Sequence, residues 1–366
     1  MFLNIVIFIL ILGLLILVHE LGHFVMAKRA GVKVEEFGLG FPPRIFGVKK
    51  GETIYSLNFI PLGGFVRIYG ENGPGEGIEK LEEEDRAFYK KPIGKRAKIL
   101  VAGVTMNLIL AAVLLGFGHW IGLPSIIDDT EVNNLRNTEV QITQIDFESP
   151  ASYAGINIGD VIKELRFNNE IVAPIKVIEV QDFIKNHLGE EIIVVIQRGN
   201  NVLNKEVVLR DEMLEEKGAL GVGLARTAII SYPWYKSFIM GITSVISMAW
   251  FIMITLVGIF WRLFSVGEMA VELSGPVGIF NLTGQATQLG FIYILQLAAL
   301  LSINLAIINI FPFPALDGGR LLFLAIEKIK GSPVSRKVEG IIHMVGFVVL
   351  ILLLVAITWR DVARLF

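Results

Sequence analysis

The sequence predicts a polytopic α-helical membrane protein with about four spans, a β-hairpin region associated with the membrane, and one polar α+β insert. Three observations predict this class. Hydrophobic residues make up 53% of the 366 residues and charged residues only 19%. With a mean hydropathy of +0.62, that balance argues against a single soluble domain. The apolar residues gather in five long stretches, and the polar ones form a block between them. A net charge of −2 gives no electrostatic footprint for nucleic acid as a partner. The absence of cysteine excludes disulfides, thiolate metal sites and a cysteine nucleophile, so any metal must be held by His, Asp or Glu.

The first stretch, Met1 to Val18, carries no charged residue. It lacks the basic start and small-residue cleavage site of a signal peptide. Continued to about Ala27 it is long enough to span, which takes roughly 20 residues. Lys28, Arg29 and Lys33 follow it, and Lys90, Lys91, Lys95, Arg96 and Lys98 precede the second stretch, Ile99–Ile121. Short basic loops stay in the cytoplasm, so both ends face inward. The second span then exits into Ile126, Ile127, Asp128 and Asp129. The fourth stretch, Phe291–Phe313, is followed by Arg320, Lys328, Lys330, Arg336 and Lys337, again cytoplasmic. Were Ser237–Trp261 also a span, that basic loop would lie outside, so this segment is expected to be interfacial. Ile341–Thr358 is the last span. The expected organisation is an N-terminal membrane half (1–121), an insert (138–212) and a C-terminal membrane half (236–366). The N-terminus, the insert and the C-terminus then face outward.

His19-Glu20-Leu21-Gly22-His23 is H-E-x-x-H at the end of the first span. Residues i and i+4 share a helix face, so both imidazoles can bind one Zn²⁺ with Glu20 beside the metal's water. Ionisable groups at membrane depth are functional candidates, because burying them unpaired is costly; the plainer reading is a polar seam between helices. A hydrolytic zinc site needs a third protein ligand and one open position. Asp317, in Asn309-Ile-Phe-Pro-Phe-Pro-Ala-Leu-Asp317-Gly318-Gly319-Arg320, meets that need at the same cytoplasmic level. Two prolines break the helix there, and the glycines let the chain turn. Asp317 could instead cap the helix that follows; delivery of both spans to one depth favours the ligand.

These two motifs resemble those of the site-2 protease family of intramembrane zinc metalloproteases (peptidase family M50), most closely the bacterial branch represented by the regulator-of-sigma-E protease. The resemblance continues through Ala30 to Pro43, Asn58 to Arg67, Ala102 to Asn107 and Leu273 to Ile279. It implies zinc as cofactor, His19, His23 and Asp317 as ligands, and Glu20 as catalytic base. Asn309 and Asn304 would hold the substrate backbone. It further implies single-span membrane substrates such as anti-sigma factors or signal-peptide remnants, an upstream extracytoplasmic protease acting first, and residence in the bilayer of the bacterial inner membrane.

Arg44 to Asn58 reads as two strands around a Lys-Lys-Gly turn. Gly63-Gly64 could let an extended peptide approach the sheet edge by β-addition, or could be a simple structural bend. The family's membrane-dipping β-loop favours the first. The acidic run Glu79–Asp85 reads as a solvated loop face. In the insert, Val140–Ile145, Ile192–Gly199 and Val207–Leu209 pattern as strands. Ser149 to Ile162 resembles a PDZ domain's helix, turn and Gly-Asp strand, and Val180–His187 its groove helix. Such a domain could bind a new chain end or block bulky ectodomains. The family's best-known members carry two such domains, and this chain has room for one. His119, His187 and His343 are expected to have no role. A non-catalytic adaptor with a structural metal site is the alternative function. A structural site would want a fourth protein ligand, and none is evident. A metal transporter would repeat polar groups along several spans, which is not seen.

Overall fold

The computed structural model describes residues 2–71, 81–127, 138–146, 148–212, 218–265 and 275–363. In chain order these form α1 (Phe2–Arg29), β1 (Val34–Lys50), β2 (Thr53–Ile68), two short 3-10 turns, α2 (Ile93–Ile121), β3 (Leu123–Ile126), β4 (Glu139–Ile145), α3 (Pro150–Tyr153), β5 (Val161–Phe167), β6 (Glu170–Val172), α4 (Val177–Asn186), β7 (Glu191–Arg198), β8 (Asn201–Val208), β9 (Val222–Ile230), α5 (Trp234–Ser265), α6 (Pro276–Leu289), α7 (Phe291–Ile310), α8 (Asp317–Lys330) and α9 (Arg336–Ala363). They divide into two compact units, one of Met1–Leu115, Gly241–Asn281 and Leu297–Phe366, the other of Gly116–Met240 and Leu282–Gln296. Asp128, Asp129, Leu273 and Ser274 lie outside the described residues, as does part of the Glu79–Asp85 run.

In the first unit α1 and α2 touch backbone to backbone. A Cβ on Gly22 would sit 2.7 Å from the Ala102 carbonyl carbon and 2.9 Å from the Gly103 nitrogen, so only glycine permits this approach. Ala27, Val32, Val34, Ile68, Phe88, Ile99, Leu100 and Leu324 bury together around the C-terminal end of α1 and the N-terminal end of α2, welding the helices to the hairpin. The hairpin turns at Gly51 (φ +65) and folds back on itself. Residues 36–39 pair with 64–67 on one side and with 54–57 on the other. Residues 63–68 thus form an edge; among the described residues nothing pairs with its far side. α7 stops at Ile310, short of the expected Phe313, because Pro312 and Pro314 cannot continue a helix. α8 then runs from Asp317 to a left-handed Gly331 at its C-terminus, the usual helix stop.

Among the described residues, five helices are long and apolar enough to cross a membrane: Phe2–Arg29, Ile93–Ile121, Trp234–Ile259, Phe291–Ile310 and Lys337–Ala363. That is one more than the four spans expected. The addition is α5, whose length and composition match a span although the sequence reading makes 237–261 interfacial. These helices make the chain an integral membrane protein.

The second unit is a sheet in the order β3-β9-β4-β5-β7-β8 with β6 on β5, antiparallel throughout, and covered by α3 and α4. It takes in strands on both sides of 138–212, because β3 pairs with β9 and β9 with β4. Alternate residues of β4 and β7 (Val140 and Ile142; Ile192, Val194 and Ile196), with Ile162 and Leu165 on either side of a register shift in β5, bury with Val180 and Phe183 of α4. Ser149 caps α3 by accepting the Ser152 N–H. The first turn of α7 belongs to this unit: Gln141 Nε2 donates to Tyr293 Oη at 2.9 Å.

Candidate metal centre

H-E-x-x-H lies in the C-terminal half of α1, and helical spacing aims both rings at α2. His19 and His23 are buried. Their Nε2 atoms lie 3.1 Å apart, and each is 3.2 Å from Asp317 Oδ2. Asp317 reaches them because the Pro312-Phe-Pro314 break ends α7 and α8 starts at once. Gly318 and Gly319 allow this, their missing side chains leaving room for the carbonyls of Ile310, Phe311 and Phe313.

The three atoms form a nearly equilateral triangle. Ligands of a tetrahedral zinc with bonds of 2.0–2.1 Å stand about 3.3–3.4 Å apart, so the donor set fits that ion in type and spacing. Asp317 Oδ2 is buried and accepts no hydrogen bond; it faces only two ring nitrogens, an arrangement that wants a cation. Among the described residues this is the one group of three or more such side chains that could hold a metal.

Each ring is held from behind, as metal-binding imidazoles usually are. His23 Nδ1 donates to the Ile99 carbonyl at 2.8 Å. His19 Nδ1 lies 3.3 Å from the side-chain amide of Asn107, a fully buried residue whose carbonyl also accepts the Ser302 hydroxyl at 2.8 Å. Gly103, one turn before Asn107, faces the rings: a Cβ there would lie 2.8 Å from His19 Nε2.

A cavity of about 190 Å³ opens on the triangle, lined by Ile16, His19, Glu20, Leu305, Asn309, Ala315, Leu316 and Asp317. Glu20 and Asn309 therefore share one space with the candidate ligand atoms. Gly64 approaches Glu20 closely, a Cβ there falling 3.8 Å from Glu20 Cγ. Gly63 (φ +106) packs against Phe41 and Ile16. Asn304 does not line the cavity; five residues before Asn309, it points about 140° away around α7. The geometry thus gathers His19, Glu20, His23, Asn309, Gly64 and Asp317 and leaves Asn304 apart. Sequence reasoning assigned no role to Gly103 or Asn107. A glycine and an amide four residues apart on an apolar helix are a signal only once the helix is known to face two imidazoles.

An H-E-x-x-H helix in a membrane, completed by a distant aspartate, defines the class of membrane-embedded metallohydrolases. The sequence model of peptidase family M50 matches residues 7–353, and the chain belongs to that family; it is a zinc metallopeptidase. The zinc metalloprotease RasP of Oceanobacillus iheyensis is 32% identical, over 99% of this chain and 99% of its own. The regulator of sigma-W protease RasP of Bacillus subtilis is 31% identical over the whole of both chains. A putative zinc metalloprotease of Clostridium acetobutylicum is 33% identical over 99% of this chain and 98% of its own.

Proposed function

We propose that this chain is a zinc-dependent intramembrane endopeptidase of the site-2 type, cutting single-span membrane proteins within or near the membrane helix. One observation carries the reading: His19, His23 and Asp317 converge at 3.1–3.2 Å on a cavity that also holds Glu20 and Asn309. Zinc bound there supplies Lewis-acid polarisation, which makes water acidic enough to serve as a nucleophile near neutral pH. Glu20 takes the proton of the attacking water and returns it to the leaving amine. Asn309 offers its amide to the substrate backbone across the cavity.

A substrate helix must unwind before its carbonyl can be reached, and hydrocarbon cannot satisfy the groups that unwinding frees. The open edge at 63–68 supplies replacement partners by β-addition. Gly64 lets the extended chain pass near Glu20. Anti-sigma factors first cut outside by another protease, and signal-peptide remnants, are the substrate classes. The name of the Bacillus subtilis relative, a regulator of sigma-W, supports the first.

The insert is a PDZ-like domain on the extracytoplasmic side of a bacterial inner membrane. A groove between α4 and β9, lined by Ile178, Gln181, Lys185, Leu220 and Val222, suits an extended chain end. Helix direction supports four spans. Asp317 meets the C-terminal part of α1, and Ile99 of α2 meets His23. Hence α1 and α7 run one way and α2 the other. The end of α2 and the start of α7 both belong to the unit of the insert, so the chain between them makes an even number of crossings. With α6 only 14 residues long, the economical even number is zero, and α5 stays on the insert's face.

The test is cleavage of a single-span substrate lacking its ectodomain by purified wild type and Glu20→Gln, each with measured zinc content. The variant is expected to keep its zinc and lose about 10²-fold or more in rate. Equal rates would remove Glu20 as base and overturn the assignment.

A further inference from the structure

The third metal-binding atom sits on a loop that the chain does not form willingly. Ala315, two residues before Asp317, has φ +76, a left-handed conformation that side chains disfavour. Something must hold it there. The loop's inner face is closed by its own short hydrogen bonds, Phe313 N–H to the Phe311 carbonyl at 2.7 Å and Leu316 N–H to the Phe313 carbonyl at 3.2 Å. Neither holds Ala315. Its N–H is taken up by a residue from another helix: the Nδ1 of His343, on α9, accepts it at 2.8 Å.

A second contact comes from the same face of α9, three residues on. Gly346 lies so close to Pro314 that a Cβ would fall 2.7 Å from the Pro314 carbonyl oxygen and 2.9 Å from its carbon. α9 thus offers the loop one acceptor and one bare patch of backbone, side by side. With Nδ1 accepting, His343 carries its proton on Nε2, a buried atom with no hydrogen-bond partner among the described residues. The ring also packs against Phe323 at a tilt of 50°, 5.4 Å between centroids, so packing is the competing account of why a histidine stands here.

We propose that His343 is a positioning residue for the metal centre: by accepting the Ala315 N–H it fixes the left-handed turn that aims Asp317 at His19 and His23. The inference rests on Asp317 being a ligand and adds a residue from the last helix to that site. The ring never touches the metal or the substrate; its effect passes through the backbone of residues 315–317.

The experiment is zinc affinity of the purified full chain in detergent, measured by competition with a chromophoric chelator. His343→Phe keeps an aromatic ring against Phe323 and removes the acceptor. His343→Asn removes the ring and returns an acceptor, its Oδ1 standing close to where Nδ1 stood. The Phe variant is expected to bind zinc about 10-fold or more weakly, the range in which outer-shell partners act. The Asn variant is expected to stay within about threefold of wild type by the same measure. Ala315→Gly added to His343→Phe should recover most of the loss, because glycine adopts positive φ without help. This arm does not depend on how well the Asn variant folds. Wild-type affinity in His343→Phe, or no recovery in the double variant, would overturn the proposal. Asp317→Ala measured alongside separates the two levels. If it retains zinc at wild-type affinity, the ligand assignment itself fails. If it loses zinc while His343→Phe does not, only the role of His343 fails.

Discussion

At the residue scale the question is what aims two imidazoles in a greasy helix pair. Helical spacing brings His19 and His23 to one face, but it does not choose which ring nitrogen points forward. The Ile99 carbonyl makes that choice for His23 by accepting from Nδ1. For His19 the neighbour is Asn107, and its Oδ1 is buried without a partner. A ring that gives Nε2 to a metal carries its proton on Nδ1 and needs an acceptor there. The Asn107 carboxamide serves that ring when its oxygen faces Nδ1. Asn107→Leu is therefore expected to weaken zinc binding about 10-fold, whereas Asn107→Asp, which restores an acceptor, is expected to bind zinc at least as well as wild type. Chelator competition and the visible spectrum of the cobalt-loaded protein check both. An unchanged spectrum and affinity in the leucine variant would reduce Asn107 to helix packing.

This scale also marks how far the sequence could be read. H-E-x-x-H is legible because its meaning lies in one helix, in residues four apart. Asp317 is legible with help from topology, since charge placement brings two helix ends to one depth. Gly103, Asn107 and His343 act across helices. What they do depends on an approach of about 3 Å between elements 76 to 88 residues apart or, for Ala315 and His343, 28 apart. No local pattern carries such distances. His343 in particular reads as an ordinary polar residue at the start of an apolar helix.

At the element scale the hairpin must be held against α1 if its edge is to face Glu20. Its turn does so through Glu52, which accepts from Arg86 Nη2 at 2.8 Å and from Lys28 Nζ, at the end of α1, at 2.6 Å. The Arg86 hydrogen bond first, and then that of Lys28, hold the Glu52 carboxyl down to about 2. A carboxylate whose pKa is lowered on folding contributes stability that is fully present above its unfolded value, near 4.5, and fades as pH falls towards about 2. Glu52→Gln should therefore melt at a lower temperature than wild type at pH 7, and the gap should close across pH 4.5 to 2. A gap independent of pH would mean that the amide fails for reasons of shape and not of charge. The hairpin's two strands and turn were legible from Gly51 and the alternation around it. Its folding back, so that residues 36–39 pair on both sides, was not, because it depends on contacts between hairpin residues far apart in the chain, such as Asn58 Nδ2 donating to the Gly40 carbonyl at 3.1 Å, which no local pattern encodes.

At the scale of the whole molecule, one helix decides the topology. α5 has the length and hydropathy of a span, and composition alone would make the chain cross five times. The proposed metal centre is incompatible with a simple fifth crossing. With an odd number, Asp317 would emerge on the face opposite His19, across about 30 Å of hydrocarbon, and no ion could join them. The convergence of these atoms at 3.2 Å is the observation behind the proposed even number of crossings, an arrangement that keeps the basic residues of the 320–337 loop on the cytoplasmic side, as short basic loops prefer. The chain has no cysteine, so single reporters can be placed without first removing any. Lys50, Asn201, Lys236, Arg262 and Lys328 are all exposed. In intact cells stripped of any outer barrier, a membrane-impermeant thiol reagent should modify cysteines at 201 and 236 and spare those at 50 and 328. Position 262, at the far end of α5, discriminates. Modification there from outside means that α5 lies along the insert's side of the bilayer and four spans suffice. Protection until the membrane is opened means that α5 crosses and that residues between 262 and 291 return, leaving six crossings and the same even count. Modification of 328 from outside in intact cells is the result that neither arrangement allows, and it would separate Asp317 from His19 and His23.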